Sequence, residues 1–146
     1  MPAIAQPFGR MLSILGREYL HLLRVKLNHL DIDRHYYALI LIESHEGTIT
    51  QQELYSMLDS DKVSIVRVVD YLSEKGYIIR MRHPNDRRKQ ILLLTQKAKQ
   101  ALPEIKNAFR DVNDIALSGL NNSQISELTE TIKKIKTNLT ANISTL

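Results

Sequence analysis

Five cationic side chains, Arg80, Arg82, Arg87, Arg88 and Lys89, fall within ten residues and surround a single carboxylate, Asp86. Together they carry +4, the formal net charge of the whole 146-residue chain, so everything outside this stretch sums to zero. A neutral body with one cationic finger is suited to a polyanion. Guanidinium groups fork onto phosphate oxygens, and a local patch of one sign steers a charged partner toward itself. The competing reading is a solvated charge run, which cationic clusters standing alone often are. What surrounds the cluster therefore decides what it does.

Other chemistry finds little footing. There is no Gly-x-x-x-x-Gly-Lys, no Gly-x-Gly-x-x-Gly and no His-Glu-x-x-His, and the five glycines are scattered singly. His21, His29, His35, His45 and His83 do not fall at metal-ligand spacing. The absence of cysteine excludes disulfides, thiolate zinc sites and cysteine nucleophiles. No nucleophile, base and stabiliser can be nominated together, so no enzyme, catalytic residue, cofactor or metal is expected.

The elements that would position the cationic cluster lie just before it. Thr50-Gln51-Gln52-Glu53 has the Thr-x-x-Glu spacing of a capping box and should start a short helix over Gln51 to Leu58. Asp59-Ser60-Asp61 then favours a turn and a cap, and a second helix should begin near Lys62. In that helix Ile65, Val68, Val69 and Leu72 form an inward stripe, while Gly76 is placed to end it in the left-handed conformation. After Gly76 the period becomes extended. Tyr77 to His83 and Gln90 to Leu94 read as two strands, and His83-Pro84-Asn85-Asp86 as the turn between them. The cationic cluster is thus the tip of a β-hairpin that follows a helix-turn-helix.

In order along the chain, Leu54, Asp61-Lys62, Arg67-Val68-Val69-Asp70, Leu72, Glu74-Lys75-Gly76, Asn85-Asp86-Arg87-Arg88 and Leu94-Thr95 resemble the MarR family of bacterial transcription regulators. The Asp86-x-Arg88 pair followed by Leu94-Thr95 is the most specific part, and the resemblance covers nearly the full chain. It implies a mainly α fold with a small β-hairpin wing, a winged helix-turn-helix that dimerises through its N- and C-terminal helices. It also implies a homodimer on pseudo-palindromic double-stranded DNA, responsive in many members to a small ligand. The chain departs from the pattern where Val63 and Val66 replace the usual Ser or Thr, and where Ala98 replaces glycine.

In a winged helix-turn-helix the second helix enters the major groove and the wing reaches the adjacent minor groove or backbone. The expected DNA-binding residues are Lys62, Val63, Ser64, Val66 and Arg67 of the helix, with Arg82, Asp86, Arg87, Arg88 and Lys89 of the wing. Arg67 would meet a guanine edge or a phosphate. Val63 and Val66 either face the groove, where they could pack on thymine methyls, or turn inward as core. Arg88 would enter the minor groove with Asp86 holding its guanidinium in a bidentate pose. Arg87 and Lys89 would meet phosphates. The alternative function is a winged-helix protein-interaction module whose basic wing binds an acidic partner.

The flanking segments are helical by period. Phe8, Leu12, Leu15, Tyr19, Leu22, Leu23, Leu27 and Leu30 place an amphipathic helix from Pro7 or Phe8 to about Asn28, and a second helix should run from Arg34 to His45. Thr48-Ile49 offers a short strand for the wing. Thr95 can cap a long helix to about Leu117, with a bend or restart near Pro103, and Asn121-x-x-Gln124 can cap a last helix. In that helix Ile125, Leu128, Ile132, Ile135, Leu139 and Ile143 form one stripe. The terminal segments, 7–30 and 96–146, hold more apolar stripe than a winged region over 48–95 can cover, so one domain of 146 residues should dimerise through both ends; intramolecular packing in a monomer is the competing reading. The resemblance implies an effector pocket between these helices and the winged region. Tyr19, His35, Tyr36 and Tyr37 are its expected lining, suited to a small aromatic or phenolic ligand. Ordinary packing is the competing reading of these four.

Hydrophobic content of 43% and charged content of 25% are ordinary for a globular chain. The longest uninterrupted apolar stretch, Tyr36 to Ile42, is far short of the roughly 20 residues of a membrane helix. With Gln6 and Arg10 interrupting the apolar residues before Gly16, no signal peptide is expected, and the protein should be cytoplasmic without a membrane partner.

Overall fold

A computed structural model describes residues 7–46, 48–59 and 61–145. Among the described residues there are six α-helices and three strands: α1 Phe8–Lys26, α2 Tyr36–Ser44, β1 Thr48–Thr50, α3 Gln51–Met57, α4 Lys62–Glu74, β2 Ile78–Arg82, β3 Gln90–Leu94, α5 Gln96–Ala116 and α6 Asn122–Ile143. The chain forms two compact units, residues 1–112 and 113–146.

Local chemistry sets most of the boundaries in the first unit. The Thr50 hydroxyl accepts the Glu53 amide at 3.1 Å and the Glu53 carboxylate accepts the Thr50 amide at 2.8 Å, so the capping box closes in both directions. These bonds hold the Glu53 carboxyl below its usual range. α2 starts two residues later than its sequence pattern suggests, because His35 adopts φ 67° and stands outside the helix. Gly47 and Ser60, part of the expected helix end and interhelix turn, lie outside the described residues. Gly76 takes φ 81° after α4, as a left-handed cap requires.

The three strands form one antiparallel sheet in the order β1-β3-β2. Ile78 faces Leu94 and Arg82 faces Gln90 in the wing, while Thr48 and Thr50 pair with Leu93 and Ile91. Thr95 fastens the base of the wing to the next helix. Its hydroxyl donates to the Gly76 carbonyl at 2.6 Å and accepts the Ala98 amide at 3.3 Å. The core of this unit gathers Leu23, Leu39, Ile42, Leu54, Leu72 and Leu92, all fully buried. α2 contributes on several sides at once, which explains its nearly unbroken apolar sequence. α5 runs without a restart through Pro103.

In the second unit, the Asn121 and Gln124 side chains cap α6 reciprocally, at 2.8 and 2.9 Å. None of the residues of α6 is buried. No described helix is long and apolar enough to cross a membrane.

Candidate nucleic-acid interface

α4 is fixed at its start by Asp61, whose carboxylate accepts the Ser64 amide at 2.7 Å and the Ser64 hydroxyl at 2.9 Å. Both bonds hold the Asp61 carboxyl below its usual range. Ile65, Val68, Val69 and Leu72 point into the core. Val63 and Val66 lie on the other side, 63% and 46% exposed, which resolves their two readings in favour of the open face.

The wing returns toward α4. Arg80 donates to the Asp70 carboxylate at 2.6 Å, joining β2 to the helix, so this member of the cationic cluster is a strut rather than a free charge. At the tip, Lys89 donates its amide to the Asp86 carbonyl at 3.0 Å and His83 its amide to the Lys89 carbonyl at 3.0 Å. Asp86 uses its carboxylate differently from the sequence expectation. One oxygen accepts the backbone amide of Arg88 at 3.1 Å and stands 3.8 Å from the Arg88 Nε, so no bidentate clasp forms. The carboxylate shapes the turn, as short acidic side chains do two residues before an amide, and the Arg88 side chain stays 95% exposed.

A concavity of about 680 Å³ lies between α3, α4 and the wing. Lys62 and Val66 of α4 line it together with Arg82, Arg87, Arg88 and Lys89 of the wing. Gln51, Gln52 and Tyr55 of α3 complete it. None of these three is expected at the site from the sequence, where Gln51 and Gln52 figure only in the motif that starts α3.

Ser64 and Arg67 are not part of that concavity. They line a second one of about 600 Å³, whose walls include His35, Tyr36, Tyr37, Arg24, Arg34 and Phe109. The helix that carries Lys62 and Val66 toward the wing therefore carries Ser64 and Arg67 toward the opposite hollow. Three of the four expected ligand residues are brought together here. Tyr19 is not among the lining residues; its ring centre lies 6.5 Å from that of Phe109, which is. The Tyr36 hydroxyl donates to the Ile32 carbonyl at 2.9 Å, so its tip is engaged inside the protein. Burial, helped by the Arg34 charge, pulls the His35 imidazole below its usual pKa and favours the neutral ring.

A polar knot ties this hollow to α4. The Tyr71 hydroxyl donates to the Asp33 carboxylate at 2.5 Å and accepts the Asp33 amide at 3.1 Å. Arg34 lies 5.0 Å over the Tyr71 ring, and the His35 ring meets it edge-on at 5.4 Å. The Tyr71 bond holds the Asp33 carboxyl below its usual range. Among the described residues no group of three His, Asp or Glu side chains is placed to hold a metal ion.

A short helix, a turn, a helix with one open face and a basic hairpin returning beside it define a winged helix-turn-helix protein. Residues 32–89 match the MarR family. Solved structures agree over most of the chain. A mutant MarR from E. coli complexed with operator DNA is 26% identical with a TM-score of 0.78, covering 88% of this chain and 93% of that one. A putative MarR family transcriptional regulator from Listeria monocytogenes complexed with a 26mer DNA is 25% identical with a TM-score of 0.81, covering 94% and 91%. A MarR transcriptional regulator from Methanosarcina mazei is 27% identical with a TM-score of 0.75, covering 89% and 94%. By sequence over residues 32–89 and by fold over most of its length, the chain is similar to MarR family regulators.

Proposed function

We propose that the protein is a DNA-binding transcriptional regulator that acts as a homodimer on a pseudo-palindromic operator, with residues 48–95 as its DNA-binding region. The observation that carries this reading is the shared concavity of α4 and the wing, where Lys62 stands with Arg82, Arg87, Arg88 and Lys89. The only acidic residue at the wing tip is engaged with the backbone, so the cations outnumber it on an open surface. The DNA bound by two similar proteins supports the same reading. In it α4 enters the major groove, Arg88 the minor groove, and Arg87 and Lys89 meet phosphates.

Dimerisation is supported by apolar side chains that the chain leaves uncovered. Phe8, Met11, Leu12 and Leu15 of α1 are exposed, as are Leu128, Ile132, Leu139 and Ile143 of α6. Residues 7–30 and 96–146 are the proposed dimerisation segments, each offering its row to a second copy. The second concavity is the proposed effector site. Its aromatic walls and the guanidinium groups of Arg24, Arg34 and Arg67 suit a small aromatic ligand with a phenolic or acidic group. Because Ser64 and Arg67 belong to α4, an occupant there touches the recognition helix itself and biases its position.

The test is selection of duplexes from a random pool, followed by titration at several salt concentrations. A regulator enriches one sequence and binds it above a salt-sensitive background. A winged-helix module for an acidic protein partner enriches none, and that outcome overturns the proposal.

A further inference from the structure

We infer that the exposed face of α4 reads the 5-methyl groups of thymine through Val63 and Val66; the inference rests on the DNA-binding reading above and specifies what the helix recognises. Val63 and Val66 are three residues apart, on one side of the helix, and both are open to solvent. Neither stabilises the helix by being there. A β-branched side chain loses rotamer freedom in a helix, and these two gain no core contact in return. Ser64 between them has its hydroxyl committed to Asp61 and lines the other concavity. The outward first turns of α4 therefore present two isopropyl groups between the Lys62 ammonium and the exposed Arg67 guanidinium.

Val66 lines the same hollow as Lys62 and the four wing cations, so the partner that fits must be anionic overall yet carry apolar patches. Duplex DNA satisfies both. In the major groove the edges of guanine, adenine and cytosine present hydrogen-bonding atoms, and the thymine C5-methyl is the apolar group among them. A valine pressed on any other edge would strip water from a donor or acceptor and leave it unpaired, which costs more than the contact returns. Three residues rise about 4.5 Å along a helix, close to the spacing of successive base pairs, so two valines at this separation reach neighbouring pairs. Recognition by Val63 and Val66 is thus selective for thymine by attraction and against the other bases by desolvation.

The experiment uses the full chain and the duplex selected above. Each thymine in turn is replaced by deoxyuridine, which removes only the methyl group, and affinities are compared for the unmodified protein, Val63→Ser and Val66→Ser. At one or two positions in each half-site, deoxyuridine should weaken binding roughly fourfold, the scale of one buried methyl group. Each serine variant should bind thymine and deoxyuridine alike at its own position. Where a thymine-to-cytosine change weakens binding, 5-methylcytosine should restore part of the loss. Equal affinity for thymine and deoxyuridine at every position, with the selected duplex still preferred over a scrambled one, overturns methyl reading and leaves DNA binding standing. A thymine preference that survives both serine variants overturns the assignment to these residues. If no duplex is preferred over a scrambled one, the regulator reading falls and this inference falls with it.

Discussion

The apolar rows of α4 and α6 repeat at the same helical spacing but meet different surroundings. In α4, Ile65, Val68, Val69 and Leu72 are all buried, in a helix that packs against α3 and β2. In α6, Leu128, Ile132, Leu139 and Ile143 are 42% to 68% exposed. Periodicity records that a helix has a partner; it does not say whether the partner lies in the same chain. The reason is physical. Burial of an apolar stripe is non-directional and rewards any matching surface, so the same pattern serves a core and an interface equally. α4 also carries its contrast within itself, since its inner face is committed to the fold while Val63 and Val66 on its outer face are left for something else.

The largest expected effect tests α6. Leu128→Asp with Ile132→Asp should dissociate the proposed dimer at concentrations where the unmodified protein is associated, because burying unpaired carboxylates costs on the order of 5 kcal/mol. Sedimentation velocity reads the change, and operator affinity should fall with it. A stable monomer for the unmodified protein would remove the interface from the comparison altogether.

The corresponding change in α4 is Leu72→Ala. It should lower stability by about 2 to 5 kcal/mol, the usual range for emptying a buried leucine site. Unlike the α6 change, its effect should begin within the fold of each chain, visible as lost near-ultraviolet dichroism at concentrations where association is unchanged. If Leu72→Ala changed association alone, the two rows would not be opposites.

Arg88→Ala should weaken operator binding by about 1 to 3 kcal/mol and flatten the salt slope where a phosphate contact goes too. Asp86→Ala should also weaken it, although it makes the wing more cationic, because the turn loses the acceptor of the Arg88 amide. Asp86→Asn keeps an oxygen in that place and should retain most of the affinity. Simple charge attraction gives the opposite sign for Asp86→Ala, so titration of these three variants separates a shaped wing from a bare cationic patch.

The smallest effect concerns the polar ties of the first unit. Asp31 accepts from the Tyr77 hydroxyl at 2.6 Å and from the Lys97 ammonium at 2.5 Å, and the Lys97 and Tyr77 bonds lower its pKa on folding. A carboxyl depressed in the folded state stabilises fully above its unfolded value, near pH 4, and loses that contribution as pH falls through the folded value. Thermal melts of Asp31→Asn should therefore lie below the unmodified protein near neutral pH, and the two should converge in acid. A gap that stays constant with pH would mean that Asp31 acts by shape alone.

The sequence by itself determined the features held within a few residues of one another. The Thr50 and Asn121 capping boxes, the Asp61 cap, the left-handed Gly76 and the wing strands all formed as their residues indicate. Such contacts are local, so neighbouring residue types suffice to specify them. The stripe of α4 was legible too, since period alone selects its inner face. Only the tertiary structure decided where the rest of that helix looks. How α4 is rotated against its neighbours turns Val63 and Val66 outward and sends Ser64 and Arg67 to the hollow of His35 and Tyr37. It likewise ties Arg80 to Asp70, while the packing of α1 on α5 sets Tyr19 beside Phe109 and the turn of the wing gives the Asp86 carboxylate to a backbone amide. These outcomes depend on distances between elements far apart in the chain or on the path of the backbone through a turn. Residue types and spacing carry neither until packing has fixed them.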